Sequence, residues 1–211
     1  MLSDEVARAI IDMGFQQPTE IQSRVVPLLL DGRDVVGQAQ TGTGKTAAFG
    51  IPLIEGIEED QPHTQALVLA PTRELAMQIA EELRKLARYI PELRIATIYG
   101  GAGYSRQFED LKAGAHVVVG TPGRVIDHLQ RGTLKLDQVD YLILDEADRM
   151  LDMGFLPDVE RILRRTPRGR QTALFSATVP TVIRILSRRY MREPATVQVR
   201  PQQVTVEEVE Q

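Results

Sequence analysis

The sequence predicts an α/β domain built on a central, mostly parallel sheet with helices on both faces. Three observations carry this. Short, near-continuous apolar runs alternate with helical stretches along the chain, the pattern of strands buried on both faces by βαβ crossovers. A glycine-rich phosphate-loop pattern, residues 39–46, follows the first of these runs. Each later run but the last ends in an unusual short stretch, and in parallel sheets ligands bind at the carboxyl ends of the strands. One edge of the sheet is therefore expected to carry the chemistry.

Taken in order, Val6, Ile10, Ile11 and Met13 read as the apolar side of a first helix ending at Gly14. Thr19 can cap a second helix through Leu30, and Asp31-Gly32 turns the chain into the strand Asp34-Val35-Val36-Gly37. The stretch from Ala47 is helical up to Pro52, and residues 56–64 form an acidic, proline-containing loop. The strand 66–70 leads to Pro71-Thr72-Arg73 and a helix from about Glu74 to Tyr89; the strand 95–99 leads to Gly100-Gly101 and a helix over 104–111. His116 to Gly120 is followed by Thr121-Pro122-Gly123-Arg124 and a helix to Gln130. The strand 141–144 ends in Asp145-Glu146-Ala147-Asp148, and the strand 171–175 in Ser176-Ala177-Thr178 before a helix over 182–191. A last strand covers 195–199, and residues 200–211 lack a core pattern and read as a linker.

The phosphate loop is Ala39-Gln40-Thr41-Gly42-Thr43-Gly44-Lys45-Thr46, with Ala39 where the general pattern has its first glycine. Glycines at 42 and 44 let successive N–H groups turn inward at a polyphosphate. Lys45 then reaches the β- and γ-phosphates, and the Thr46 hydroxyl suits Mg²⁺. An apolar strand delivers Asp145 and Glu146 beside it. Asp145 suits the Mg²⁺ shell, through water, because this ion keeps much of its hydration. Glu146, one residue on, points elsewhere and can polarise the water that attacks the γ-phosphate. Acids at a helix start are common on their own; the phosphate loop about 100 residues earlier gives these two their meaning.

Three further strand ends suggest a second anion-binding region. Thr72 is a good helix cap with Arg73 in the first turn, and Thr121 is a cap with Pro122 at the first helical position. Helix N-termini favour phosphates, and Gly100-Gly101 would let a nucleic-acid strand approach the backbone. Each alone is ordinary capping chemistry; together, on the edge that holds the phosphate loop, they point to a phosphate-bearing chain. Arg161, Arg164, Arg165, Arg168 and Arg170 form a basic cluster whose first four members fit one solvated helix face. His63, His116 and His128 lack metal-ligand spacing and read as structural.

Composition sets outer bounds. The 211 residues suit one sizeable domain or two small ones, and 43% hydrophobic with 26% charged residues reads as soluble and globular. No apolar run approaches the ~20 residues of a membrane span, and the N-terminus lacks a signal-peptide pattern. Without cysteine there are neither disulfides nor thiolate metal sites, which fits a cytoplasmic setting. A net charge of −4 means that any nucleic-acid contact comes from local surface. The absence of asparagine and cysteine hints at a thermophilic source.

Together these stretches resemble, over nearly the full chain, the N-terminal RecA-like domain of a DEAD-box ATP-dependent RNA helicase. They are Gly14-Phe15 through Gln17 to Gln22 (the Q motif), 39–46 (motif I), 71–76 (Ia), Gly100-Gly101, 121–124 (Ib), 145–148 (II) and 176–178 (III). Ala39 is the usual family residue at its position. The resemblance implies ATP and Mg²⁺ as cofactors, and Gln22 on the adenine edge with Phe15 and Gln17 beside it. Pro71, Thr72, Arg73, Gly100, Gly101, Thr121, Pro122, Gly123 and Arg124 would grip the sugar–phosphate backbone of RNA. Asp148, Ser176 and Thr178 would couple nucleotide state to strand separation. Backbone gripping also explains why no base-stacking aromatics are evident. The family further uses an adenine-stacking aromatic upstream of the Q motif and a second RecA-like domain with an arginine finger. Residues 1–199 are accordingly expected to be the ATP-binding domain and 200–211 a linker to that second domain in a longer protein. Two other functions use the same motifs: an RNA clamp or scaffold with little unwinding, and a DNA translocase, against which Gln22 and the 145–148 tetrad argue.

Overall fold

The computed structural model describes residues 2–199. The elements run α1 (Asp4–Asp12), α2 (Glu20–Leu30), β1 (Val35–Gln38), α3 (Lys45–Glu55), β2 (Ala66–Leu69), α4 (Arg73–Leu86), β3 (Ile95–Ile98), α5 (Tyr104–Lys112), β4 (Val117–Gly120) and α6 (Pro122–Gln130). They continue with β5 (Tyr141–Leu144), α7 (Ala147–Asp152), α8 (Leu156–Leu163), β6 (Gln171–Ser176), α9 (Thr181–Tyr190) and β7 (Ala195–Gln198). The strands form one sheet in the order β3-β4-β2-β5-β6-β1-β7, parallel at every pairing. The expected mostly parallel sheet is thus wholly parallel among the described residues.

Alternation along the strands builds two cores. Val68, Val119, Ile143 and Phe175 point to the face covered by α1 to α4, where Val25, Phe49 and Ile79 meet them. Leu67, Val118, Leu142 and Leu174 point to the other face, against Val125, Met150, Ile162 and Ile183 from α6 to α9. Leu111 brings α5 to that second face. From β1 to β2 to β3 the chain steps one way through α3 and α4. After β3 it steps back through α5 to α9. Reversing direction while changing face keeps every crossover the same hand, as twisted strands require.

This order also sorts the loops at the carboxyl edge. Adjacent β1, β6 and β5 present residues 39–46, 176–178 and 145–148. Adjacent β2, β4 and β3 present 71–73, 121–124 and 100–101. The two halves of one edge meet between β5 and β2.

Local sequence accounts for the helix that enters this edge. Thr19 caps α2 in a reciprocal box: its hydroxyl accepts from the Gln22 N–H at 3.5 Å, and Gln22 Oε1 accepts from the Thr19 N–H at 2.9 Å.

Several expectations need correction. Helix α3 starts at Lys45 and runs through Pro52 to Glu55. Proline removes one N–H from the ladder, but Phe49, Ile51, Leu53 and Ile54 are buried, and that packing outweighs the loss. Ile11, read as core-facing, is 72% exposed, because α1 buries only Val6 and Ala9. Helix α4 ends at Leu86, short of Tyr89. The arginine cluster does not share a helix face: α8 ends at Leu163, Arg164 is its cap, and Arg170 is buried in the turn into β6. The linker reading of 200–211 falls outside the described residues.

Gly37 in β1 lies under the Phe175 ring, where an added Cβ would stand 2.7 Å from ring carbons. The ring is fully buried and tilted against Phe49 at 5.4 Å, so it has little room to yield. Gly37→Ala is expected to lose about 1–3 kcal/mol of stability, read as a lower urea midpoint with an unchanged slope; a midpoint equal to the parent's would refute the close contact.

Candidate functional site

The phosphate loop turns on two left-handed glycines, Gly42 at φ 80° and Gly44 at φ 88°. Gly44 is also sterically fixed: a Cβ there would lie 2.5 Å from Gln22 Nε2 and 3.1 Å from Thr19 Oγ1. It caps α3 without a side-chain hydrogen bond, so the first N–H groups of the helix stay open to an anion. Thr43 Oγ1 donates to the Gln40 carbonyl at 2.8 Å, and the Ala39 N–H donates to the Ser176 carbonyl at 3.1 Å. The loop is thereby tied to itself and to the end of β6.

Lys45 and Asp145 face each other across the loop. Both are buried, and Nζ stands 3.8 Å from Oδ1, too far for a hydrogen bond. Among the described residues the Nζ has no hydrogen-bond partner. Burial pushes the Asp145 carboxyl up to about 6, against the pull of the Lys45 charge and the Glu146 N–H. A buried ammonium without an acceptor, beside a carboxylate that resists ionisation in isolation, fits a site whose remaining charges arrive with the ligand. Phosphate oxygens would meet Lys45, and Asp145 with Thr46 could hold a divalent cation. No cluster of three His, Cys, Asp or Glu exists among the described residues.

These residues open on a cavity of about 750 Å³ with Phe15, Thr41, Gly42, Lys45, Thr46, Asp145 and Glu146 in its wall. Gln17 and Gln22 are not in that wall. Gln17 is exposed, and the Gln22 amide is spent on Thr19 and on the Gly44 carbonyl, to which Nε2 donates at 3.1 Å. The outer wall comes from Ala9, Asp12 and Met13 of the first helix and its end, with Leu75, Gln78, Glu82, Lys85 and Arg88 from α4 and its end. Motif reading missed these residues, because only the packing of α1 against α4 brings them here.

Glu146 is strained. Its backbone is left-handed, φ 49° and ψ 50°, which costs a non-glycine residue about 1–3 kcal/mol. It caps α7, lines the cavity, and accepts from Arg149 Nη1 at 3.2 Å. Two residues on, Asp148 ties β5 to β6. Its N–H donates to Ser176 Oγ at 3.0 Å, and Oδ2 accepts from the Thr178 N–H at 2.8 Å and Oγ1 at 3.0 Å. Burial raises this carboxyl, but the Thr178 and Ser176 hydrogen bonds outweigh it and hold Asp148 below the ordinary carboxylate range.

The other half of the edge is held open. Pro71 is buried, Thr72 Oγ1 accepts from the Leu75 N–H at 3.3 Å, and Arg73 is exposed with its guanidinium 4.8 Å from the Tyr99 ring centre. Gly100 and Gly101 are exposed, with nothing within 4 Å of a Cβ at either, and Gly101 is left-handed at φ 80°. Pro122 opens α6 as expected, and Gly123 is exposed beside it. Thr121 is the N-cap residue, as expected, but its side chain makes no capping hydrogen bond to the helix N–H groups.

Arg124 faces inward. Its side chain is 8% exposed, both terminal nitrogens donate to the Ala102 carbonyl at 3.2 Å, and its guanidinium sits 4.1 Å from the Tyr104 ring centre. Tyr104 in turn donates to Asp127, whose carboxylate lies 3.9 Å from Arg124 Nε. This group, of which the sequence singled out only Arg124, pins the loop after β3. His116 and His128 are fully buried, with their rings against Arg94 and against Thr133 and Gln107. Burial holds both below the usual imidazole value.

A wholly parallel sheet with a phosphate loop after β1 and paired acids after β5 defines a P-loop nucleotide-binding domain. Residues 19–185 match the sequence profile of the DEAD/DEAH box helicases, and the chain belongs to that family. It is 53% identical over 210 residues to the DEAD-box ATP-dependent RNA helicase CshA of Geobacillus kaustophilus, covering all of this chain and 45% of that protein. It is 53% identical over 206 residues to the ATP-dependent RNA helicase DeaD of Mycobacterium tuberculosis H37Rv, covering 98% of this chain and 37% of that one. The chain thus spans less than half the length of these relatives. The crystal structure of a DEAD box protein from Methanococcus jannaschii superposes with a TM-score of 0.87 at 46% identity, over 94% of this chain and 54% of that one. The RecA-like fold of this family is therefore the fold of the chain.

The Asp145 environment yields a direct check. Its raised value means that the ligand-free carboxyl is neutral below about pH 6 and ionised above it. A carbon-detected NMR titration should show one carboxyl with a midpoint near 6. Since the Lys45 charge lowers that midpoint, Lys45→Ala should move it higher. A midpoint near 4, or a downward move in the variant, would contradict the burial described.

Proposed function

We propose that this chain is the ATP-binding half of an ATP-dependent RNA helicase, coupling ATP binding and hydrolysis to local unwinding of RNA duplexes or remodelling of RNA–protein complexes. The observation that carries the reading is the buried, partnerless Lys45 Nζ facing Asp145 beneath the glycine-rich turn. That arrangement asks for a polyphosphate. The names of the relatives, RNA helicases in each case, supply the substrate class.

In this reading the N–H groups of residues 42–46 and Lys45 bind the β- and γ-phosphates, and Thr46 and Asp145 hold Mg²⁺, which when bound draws charge from the phosphates. Glu146, in the cavity wall, orients water and takes its proton. Asp148, bonded to Ser176 and Thr178, carries a change at β5 to β6. Thr72, Arg73, Gly100, Gly101, Thr121 and Gly123 grip RNA phosphates through open N–H groups and one exposed guanidinium, while Arg124 holds the Gly100-Gly101 loop in shape. Such contacts bind without reading sequence. Soluble, cytoplasmic work on RNA together with a second RecA-like domain belongs to the same proposal.

Gln22 is proposed to recognise adenine by exchanging one of its present partners for the base. An amide offers one donor and one acceptor, matching adenine and mismatching guanine. Gln22→Ala should therefore weaken ATP binding more than GTP binding in calorimetric titrations, and equal losses would remove this role.

The whole reading is tested by turnover. These 211 residues alone should bind ATP, hydrolyse it slowly and leave duplexes intact, because an arginine finger from a second domain supplies about 10³–10⁵ in rate. Joined to a second RecA-like domain, the chain should show RNA-stimulated hydrolysis and displace a short RNA strand. Equal turnover in both forms would sink the two-domain mechanism. Stimulation without displacement would favour a clamp, and stimulation by DNA in place of RNA a translocase.

A further inference from the structure

The amino edge of the sheet, opposite the edge that carries the motifs, has a polar cavity of its own. It measures about 590 Å³ and lies where α8 turns into β6 and α9 into β7, with Arg164, Arg168, Arg170, Arg189, Tyr190 and Arg192 in its wall. Five arginines around one concavity reverse, locally, the net charge of −4. Strands of this length put it about 13–20 Å from the phosphate loop.

Two of the three acids nearby are already engaged. Glu160 pairs with Arg164 at 3.0 Å and Arg189 at 3.4 Å. Asp34 is buried, and its oxygens accept the backbone N–H groups of Thr172 at 2.9 Å and Arg192 at 2.6 Å. Glu193, next in the chain, is exposed and makes no ion pair among the described residues. Arg168, Arg170 and Arg192 likewise have no ion pair among the described residues.

Arg170 decides the matter. It is 5% exposed. Nη1 donates to the Pro167 carbonyl at 2.7 Å and Nη2 to the Tyr190 carbonyl at 3.4 Å, while the buried Nε has no acceptor. Two carbonyls position the guanidinium but leave its charge without a counterion, a costly state for a desolvated cation. Burial accordingly draws its pKa below the usual guanidinium value, with the Asp34 charge only partly opposing. A single carboxylate would leave two of the three unpaired arginines uncompensated; a phosphate monoester dianion neutralises one more, and any phosphoryl group, a backbone diester included, offers oxygens that guanidinium forks take bidentately.

We propose that this cavity is a second anion site that takes a phosphoryl group, from a small phosphate compound or from a nucleic-acid strand. It is independent of the proposed ATP and RNA contacts on the far edge.

The test uses the chain in a Lys45→Ala background, which weakens phosphate binding at the loop. Inorganic phosphate is titrated by calorimetry and by following arginine Nε–H signals in NMR. The expected result is saturable binding that moves the Arg170 signal. Arg168→Gln with Arg192→Gln, both exposed, should weaken that binding by at least about tenfold without altering the circular dichroism spectrum. Arg170→Lys, which keeps the charge but not the fork, should weaken it too, yet the surface pair suffices if that variant fails to fold. A uridine oligonucleotide and AMP distinguish the sources: loss for the oligonucleotide alone assigns a nucleic-acid phosphate, and loss for AMP a small ester. Absence of saturable phosphate binding, or binding unchanged in the double variant, would overturn the proposal. A glutamate-rich peptide that competes better than phosphate and both nucleotides would overturn it as well, by making the cavity a protein-docking site.

Discussion

Two opposite charges, Lys45 from the start of α3 and Asp145 from the end of β5, are held 3.8 Å apart in a buried space without a hydrogen bond between them. Most of the carboxyl edge can be understood from that constraint. Closing the gap to a direct ion pair would satisfy both groups and leave nothing for a ligand. Opening it would expose two charges to water and weaken their grip. The backbone around the pair is firmly placed. Gly44 leaves no room for a side chain against Gln22, the capping box fixes Gln22, and the parallel ladder through β6 fixes the spacing of β1 and β5. The unmet electrostatics are thus maintained by well-packed neighbours rather than by local flexibility, the usual source of preorganisation in an electrostatic site.

The strand order extends this logic across the edge. Reversal of the chain after β3 puts three phosphate-loop-side strands together and three others beside them, so each half of the edge is contiguous. Strand β5 meets both halves: it pairs with β6 on one side and β2 on the other. Asp148, just past its end, is bonded into the loop after β6. The coupling proposed for Asp148 would run through this ladder.

Much of this was readable from residue order. The alternation of apolar runs and helices fixed the class, and the motif positions fell on one edge because strand ends in a parallel sheet share a direction. What could not be read was packing. Pro52 looked like a stop because the missing N–H is visible in sequence, while the burial of Phe49, Ile51 and Leu53 that overrides it is not. Arg124 entered the expected RNA contacts through the family resemblance alone, which says nothing of where its side chain turns. Its inward turn depends on Tyr104 and Ala102, about 20 residues away in the chain. The outer wall from α1 and α4 and the arginine cavity on the far edge have the same origin. They are made by elements that meet only in three dimensions.

The left-handed backbone at Glu146 has an evolutionary corollary. Glycine would adopt that conformation without strain, so holding glutamate there costs folding free energy. Any lineage that keeps the acid accepts a small, permanent handicap in folding free energy.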